Sequence, residues 1–204
     1  MNKILICLLA VSSTFLITKF SYAYEAWYRG EPFSAIKTTI DQGETVQSML
    51  MLSPEGYREE VSPNGLDKIV YVTNFKQEKT WMLVPRRNIY IEVESMMGGP
   101  ESGFNKSTLF NSKPCVGFDR SRKVNDHQGR YRRYEEWHCT SLRLNSSLSQ
   151  WFDPETNMVV RERRPTGSDI TIDDIKFERL SKTLFQIPEG YRKGDTADVL
   201  KALR

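Results

Sequence analysis

Apolar and polar residues alternate in short runs along most of the chain, and the runs are punctuated by turn-forming residues. Runs at 35–41, 45–52, 57–61, 67–73, 81–84 and 89–94 read as short β-strands, with period-two alternation at 57–61 and 89–94. Between them stand Gln42-Gly43-Glu44, Ser53-Pro54-Glu55-Gly56, Ser62-Pro63-Asn64-Gly65 and Pro85-Arg86-Arg87-Asn88, where Gly, Pro and Asn mark turns. This spacing predicts an antiparallel meander. Strands are expected again at 115–118, 131–140, 148–152, 158–163 and 170–177, with Asp153-Pro154-Glu155-Thr156-Asn157 as a hairpin turn. Residues 95–113 break the rhythm and read as a lid or crossover with at most one short helix. Asp195 is placed to cap a last short helix over 196–203. Met49-Leu50-Met51-Leu52 and Ile69-Val70-Tyr71-Val72 are apolar on both faces, which a sheet with one solvated face is not. Some of the sheet is therefore covered on both sides, or it curls around an apolar interior, either filled or hollow.

The first 23 residues differ from the rest. Lys3 precedes an almost unbroken apolar run from Ile4 to Ile17, and Ser21-Tyr22-Ala23 offers small residues at both key positions of a cleavage site. The run is too short for a bilayer, which needs about 20 apolar residues. A signal peptide cleaved after Ala23 is expected, with residues 24–204 as a single exported, periplasmic domain. Net charge falls from +3 to about +1 when Lys3 and Lys19 leave, so the chain has no polybasic character for nucleic acid. Two cysteines remain, Cys115 and Cys139, and in an oxidising compartment a disulfide between them is expected. His138 beside Cys139 points to the opposite face of a strand, so the pair is a poor metal chelate. No metal and no cofactor is expected.

Catalytic patterns are missing. The chain has two histidines and neither a G-x-S-x-G nor an H-E-x-x-H motif. Glu135 and Glu136 face opposite ways on a strand and cannot flank one bond. The chain therefore reads as a non-enzyme. Arginines cluster at Arg130, Arg132 and Arg133, at Arg161, Arg163 and Arg164, and at Arg86-Arg87. They form either an anion-gripping face or a solvated face neutralised by Glu135, Glu136 and Glu162.

Several landmarks follow one another in a recognisable order. Gly56-Tyr57-Arg58-Glu59-Glu60 precedes Ile69-Val70-Tyr71-Val72, then Trp81-Met82-Leu83-Val84-Pro85 and Asn88-Ile89-Tyr90-Ile91-Glu92. Trp151-Phe152-Asp153-Pro154-Glu155 precedes Val159-Val160-Arg161, and Leu184-Phe185-Gln186-Ile187-Pro188-Glu189-Gly190-Tyr191 ends the sheet. Over residues 35–192 this order resembles the bacterial LolA-like superfamily of outer-membrane lipoprotein-sorting proteins. The likeness is to its uncharacterised exported relatives rather than to the carrier itself, whose long N-terminal helix is missing here. The resemblance implies an α+β but mostly β fold: a strongly curved antiparallel sheet, an unclosed barrel, with short helices or a lid over its concave face. It implies a periplasmic binding protein for an acyl chain, lipid or lipoprotein. The alternative is an envelope sensory or structural protein that holds a protein partner through the same sheet. Candidate cavity residues are Met49, Met51, Val70, Val72, Trp81, Leu83 and Trp151, with Gly98 and Gly99 as the hinge of a gate.

Overall fold

The computed structural model describes residues 30–62, 67–93, 109–129, 132–195 and 197–198. Within them lie β1 (Phe33–Asp41), β2 (Glu44–Ser53), β3 (Gly56–Val61), β4 (Ile69–Asn74), β5 (Lys79–Val84) and β6 (Ile89–Val93). They are followed by β7 (Arg120–Gln128), β8 (Arg133–Ser141), β9 (Ser146–Asp153), β10 (Met158–Arg163), β11 (Asp169–Phe177) and β12 (Arg192–Lys193). All belong to one sheet, in the order β12-β6-β5-β4-β3-β2-β1-β11-β10-β9-β8-β7. Neighbours are antiparallel except β12, which runs parallel to β6. The two ends, β12 and β7, do not meet, so the sheet is not closed into a barrel.

The turns follow the residues that mark them. Gln42 and Gly43 both take positive φ (49° and 84°), which is what a two-residue hairpin with matching twist requires. The Asp153 carboxylate accepts the Glu155 N–H (2.9 Å) and the Thr156 N–H (3.3 Å), so aspartate's own side chain folds the β9–β10 turn. One expected strand is corrected. Residues 115–118 form a turn rather than a strand, with Cys115 at φ 57° and the Phe118 N–H on the Cys115 carbonyl. The strand begins at Arg120 instead, and its polar residues show no alternation to read. Among the described residues before 197, the only helical turns are short 3-10 pieces at Pro85–Arg87 and Lys182–Phe185. The expected lid, with Gly98 and Gly99, lies outside the described residues apart from Leu109 to Lys113. Of the expected terminal helix only 197–198 are described, both helical, and the Asp195 carboxylate accepts the Asp198 N–H at 2.8 Å.

Register assigns the side chains to two faces. Ala35, Leu50 and Glu59 stand opposite one another on one face, as do Phe33, Leu52 and Tyr57. Leu109 and Phe110 pack on that face, in a core with Met158, Val160 and Ile172. The Phe110 ring lies 6.1 Å from both Phe33 and Tyr57, while its N–H bonds the Val159 carbonyl of β10 at 3.1 Å. In a flat sheet β3 and β10 would be about 19 Å apart, four strand spacings. Side chains standing off the sheet cannot also span that distance sideways, so the sheet curls around Phe110. This is the inner, concave face. Bulges at Ser34/Ile36 and Val159/Arg161 add the local bending.

The C-terminal segment crosses the outer face of β3–β6. Phe185 is fully buried, and its carbonyl accepts from the Asn74 amide at 3.1 Å. Ile187 and Tyr191 then pack over Val70, Val72, Trp81 and Leu83. Finally β12 pairs with β6, with the Gly194 N–H on the Tyr90 carbonyl (2.8 Å), and covers that edge.

Candidate functional site

The residues anticipated as a cavity share one face, and it is the outer one. Two rows cross the sheet there: Met49-Glu60-Val70-Leu83-Tyr90 and Met51-Arg58-Val72-Trp81-Glu92. Val70, Val72, Trp81 and Leu83 form a packed cluster beneath the C-terminal segment. Met49 and Met51 are cut off from them by the Arg58–Glu60 ion pair (2.7 Å), and Met49 is 45% exposed. Trp151 lies far across the same face, under the guanidinium of Arg161 at 4.5 Å and that of Arg163 at 5.6 Å. No single hollow brings the seven together.

The inner face of β4–β6 carries a second apolar strip that sequence reasoning did not single out. Tyr71 pairs with Met82, and Met82 with Ile91; Thr80 pairs with Val93, and Val84 with Ile89. Val84 and Ile89 are buried, whereas Tyr71, Met82, Ile91 and Val93 remain half-exposed. The alternation Ile89, Ile91, Val93 was visible in the sequence. What was not visible is its phase relative to Phe33 and Leu50, which only the register supplies.

Beside this strip the inner face holds a buried charge. Glu59 accepts from Lys37 Nζ (2.9 Å), Ser48 Oγ (2.6 Å) and Tyr57 Oη (2.5 Å). Burial pushes its carboxyl up, but the Lys37 charge and the hydrogen bonds outweigh this and hold it below the usual carboxylate range. Burial and the Glu59 charge push the Tyr57 phenol far above its ordinary value, so it stays a donor. Tyr71 is raised for the same two reasons. The cluster thus forms the polar end of an otherwise apolar surface.

The arginine clusters are mostly neutralised, chiefly by aspartates. Arg161 and Arg163 share Asp169 (2.6 and 2.8 Å), Arg133 pairs with Asp126 and Arg132 with Asp153. Arg164 meets Glu162, and Arg86 meets Asp67. Arg130 lies outside the described residues. Glu135 bonds Lys123 and the Trp137 indole, while Glu136 bonds His127 (2.5 Å) from the other face. The two carboxylates therefore do not act on one atom. His138 stands opposite Ser149 without a hydrogen bond to it among the described residues. The same residues hold no group of three potential metal ligands. Cys115 and Cys139 are disulfide-bonded, with Cα atoms 5.1 Å apart. The bridge ties the segment carrying Leu109 and Phe110 to β8, and the Cys115 N–H adds a bond to the buried Gln150 amide oxygen (2.7 Å).

No family model and no curated protein matches the chain. Solved structures do. An uncharacterized conserved protein from Thermus thermophilus superimposes with a TM-score of 0.57 at 12% identity, covering 84% of this chain and 93% of the other. MucB from the MucA/MucB complex of Pseudomonas aeruginosa superimposes with a TM-score of 0.52 at 10% identity, covering 82% of this chain. The chain spans only 58% of MucB's length. A domain of the outer-membrane lipoprotein-sorting kind from Vibrio parahaemolyticus matches at 11% identity over 88% of this chain and 95% of the other, with a TM-score of 0.35, too loose to argue from. The expected fold, a curved antiparallel sheet left unclosed, is shared with the first two of these structures, and at 12% and 10% identity the likeness is one of fold alone.

Proposed function

We propose that this chain is a non-enzymatic binding protein of the cell envelope that holds an apolar ligand, an acyl chain or a lipidated polypeptide, against the inner face of its curved sheet. One observation carries this reading. Strands β4–β6 are apolar on both faces; the outer face is sealed by Ile187 and Tyr191, while Tyr71, Met82, Ile91 and Val93 on the inner face stay half-exposed. Apolar side chains lining a concave surface, with a polar cluster at Glu59 and Tyr57 beside them, suit a ligand with a long apolar part and one polar end. Affinity would come from burial, about 0.8 kcal/mol per methylene. Methionine at position 82 adapts to chains of differing shape. The export reading of residues 1–23 agrees with such a role, as does the disulfide.

A second reading is a protein partner, and two observations favour it. The centre of the inner face is already filled by Leu109 and Phe110, and among the described residues no strand pairs with the outer edge of β7. A free edge can accept a partner strand, and MucB, which shares the fold, is known in complex with MucA. Mass spectrometry of the protein purified from its native compartment, native against denatured, separates the two. A co-purifying lipid mass that is lost on denaturation establishes the first reading. A bare polypeptide mass removes it, and crosslinking in the same compartment then addresses the second.

A further inference from the structure

The turn joining β8 and β9 is rigidly built and yet displays two leucines to solvent. Leu142 is 57% exposed and Leu144 46%. The Asn145 N–H closes the turn on the Leu142 carbonyl (3.4 Å), with Asn145 at φ 45°. Asp119 clamps it from the neighbouring segment, accepting the Leu142 N–H at 2.6 Å and the Ser141 hydroxyl at 3.2 Å. Ser141 Oγ in turn accepts the Leu144 N–H at 3.4 Å. The backbone is therefore fixed by its own side chains, while the leucines between these anchors pack on nothing that hides them.

The surroundings are basic. Arg143 sits between the two leucines and is exposed. Arg120 stands opposite Thr140 and Arg122 opposite His138, both on the fully exposed strand β7. Neither forms an ion pair among the described residues. The carboxylate at this end of the sheet, Asp119, gives its Oδ2 to the turn, and its carboxyl is held below the usual range chiefly by the Leu142 N–H, with the Arg143 N–H and charge as smaller causes. Among the described residues, three arginines and two projecting leucines thus lie toward this end of the sheet, with Asp119 as the carboxylate of the turn.

We infer that the β8–β9 turn is a membrane-contact tip, in which Leu142 and Leu144 enter the headgroup region of a bilayer while Arg120, Arg122 and Arg143 meet anionic lipid phosphates. Single exposed leucines need no explanation. Two on one clamped turn, ringed by cations, match the two-part attraction of peripheral membrane proteins, apolar insertion plus charge. A folded protein partner fits less well, because a stable interface covers about 800 Å² on each side, far more than one turn offers. The inference does not depend on what the inner face binds.

Co-sedimentation of the purified protein with vesicles tests it. Vesicles of phosphatidylglycerol and phosphatidylethanolamine are expected to carry the protein down at low salt and to release it at high salt. Vesicles of phosphatidylcholine alone should leave it in solution. Leu142→Ser and Leu144→Ser should each weaken partition about tenfold, and Arg120→Gln and Arg122→Gln about fivefold each. All four side chains are exposed, so circular dichroism and melting temperature should match those of the parent. Partition indifferent to the leucine changes, equal on neutral and anionic vesicles, or absent from both, overturns the inference.

Discussion

At the scale of single residues, two positions make sharp demands, one on each face of the sheet. Glu59 is buried with Lys37, Ser48 and Tyr57 all donating to it. Replacing it by alanine strands the Lys37 ammonium in a largely buried setting and should cost about 3 kcal/mol in urea unfolding. Its folded pKa lies below the ordinary 4.5, so its stabilising contribution is complete above that value and is lost as pH falls through the lower, folded one. Unfolding free energy of the parent should therefore decline from about pH 4.5 downward. Glu59→Gln, which has no proton to take up, should decline less steeply over the same interval. Gly56 makes a different demand: a Cβ there would sit 2.2 Å from the Thr73 carbonyl oxygen and 3.0 Å from Phe185 Cβ. Since backbone cannot retreat, Gly56→Ala should cost about 2 kcal/mol, and a midpoint equal to the parent's would show that the close approach relaxes freely. The sequence marked Gly56 as a turn residue. It could not show the reason, because Phe185 arrives from the far end of the chain.

At the scale of elements, two straps hold the sheet's faces. The disulfide anchors the segment from Leu109 to Phe118 on the inside, closing a loop of sequence separation 24. Replacing both cysteines by serine should lower unfolding free energy by about 3 kcal/mol. The C-terminal segment anchors on the outside through Phe185, Ile187 and Tyr191. Tyr191→Ala should cost about 2 kcal/mol and raise the binding of a hydrophobic dye as Trp81 and Val72 become accessible. Unchanged dye binding would mean the strap stays seated without its ring. Both straps explain what was legible here. The strand at 89–94 was visible from its own clean alternation, and its neighbour in sequence, β5, is also its neighbour in the sheet. β7 was missed because an edge strand exposed along its whole length has no apolar period to show. β12 was missed because it makes its two pairings with a strand some hundred residues earlier.

At the scale of the whole molecule, the proposed binding raises the question of which side of the sheet would carry it. Doubly apolar strands were legible in the sequence, but they left open whether the sheet is covered on both sides or curls, and the curved fold was implied only by the resemblance in the order of landmarks. The side was not legible, because a slip of one position in phase exchanges the faces of every strand. Met49, Met51, Val70 and Val72 alternate as regularly as Tyr71, Met82 and Ile91, and nothing local distinguishes an alternation that faces Phe110 from one that faces the C-terminal strap. One paired experiment resolves the matter. Met82→Asp puts a charge in the middle of the half-exposed inner strip, whereas Met49→Asp puts the same charge on an outer position already 45% open to water. If the inner face holds an apolar ligand, the first change should strip the co-purifying lipid mass, because a carboxylate among methylenes must be desolvated or neutralised. The second should leave that mass in place, and both proteins should keep the parent's circular dichroism. The reverse pattern would move the site to the outer rows of Met49 and Met51. Loss of ligand in neither variant would place the apolar contact on residues beyond both strips.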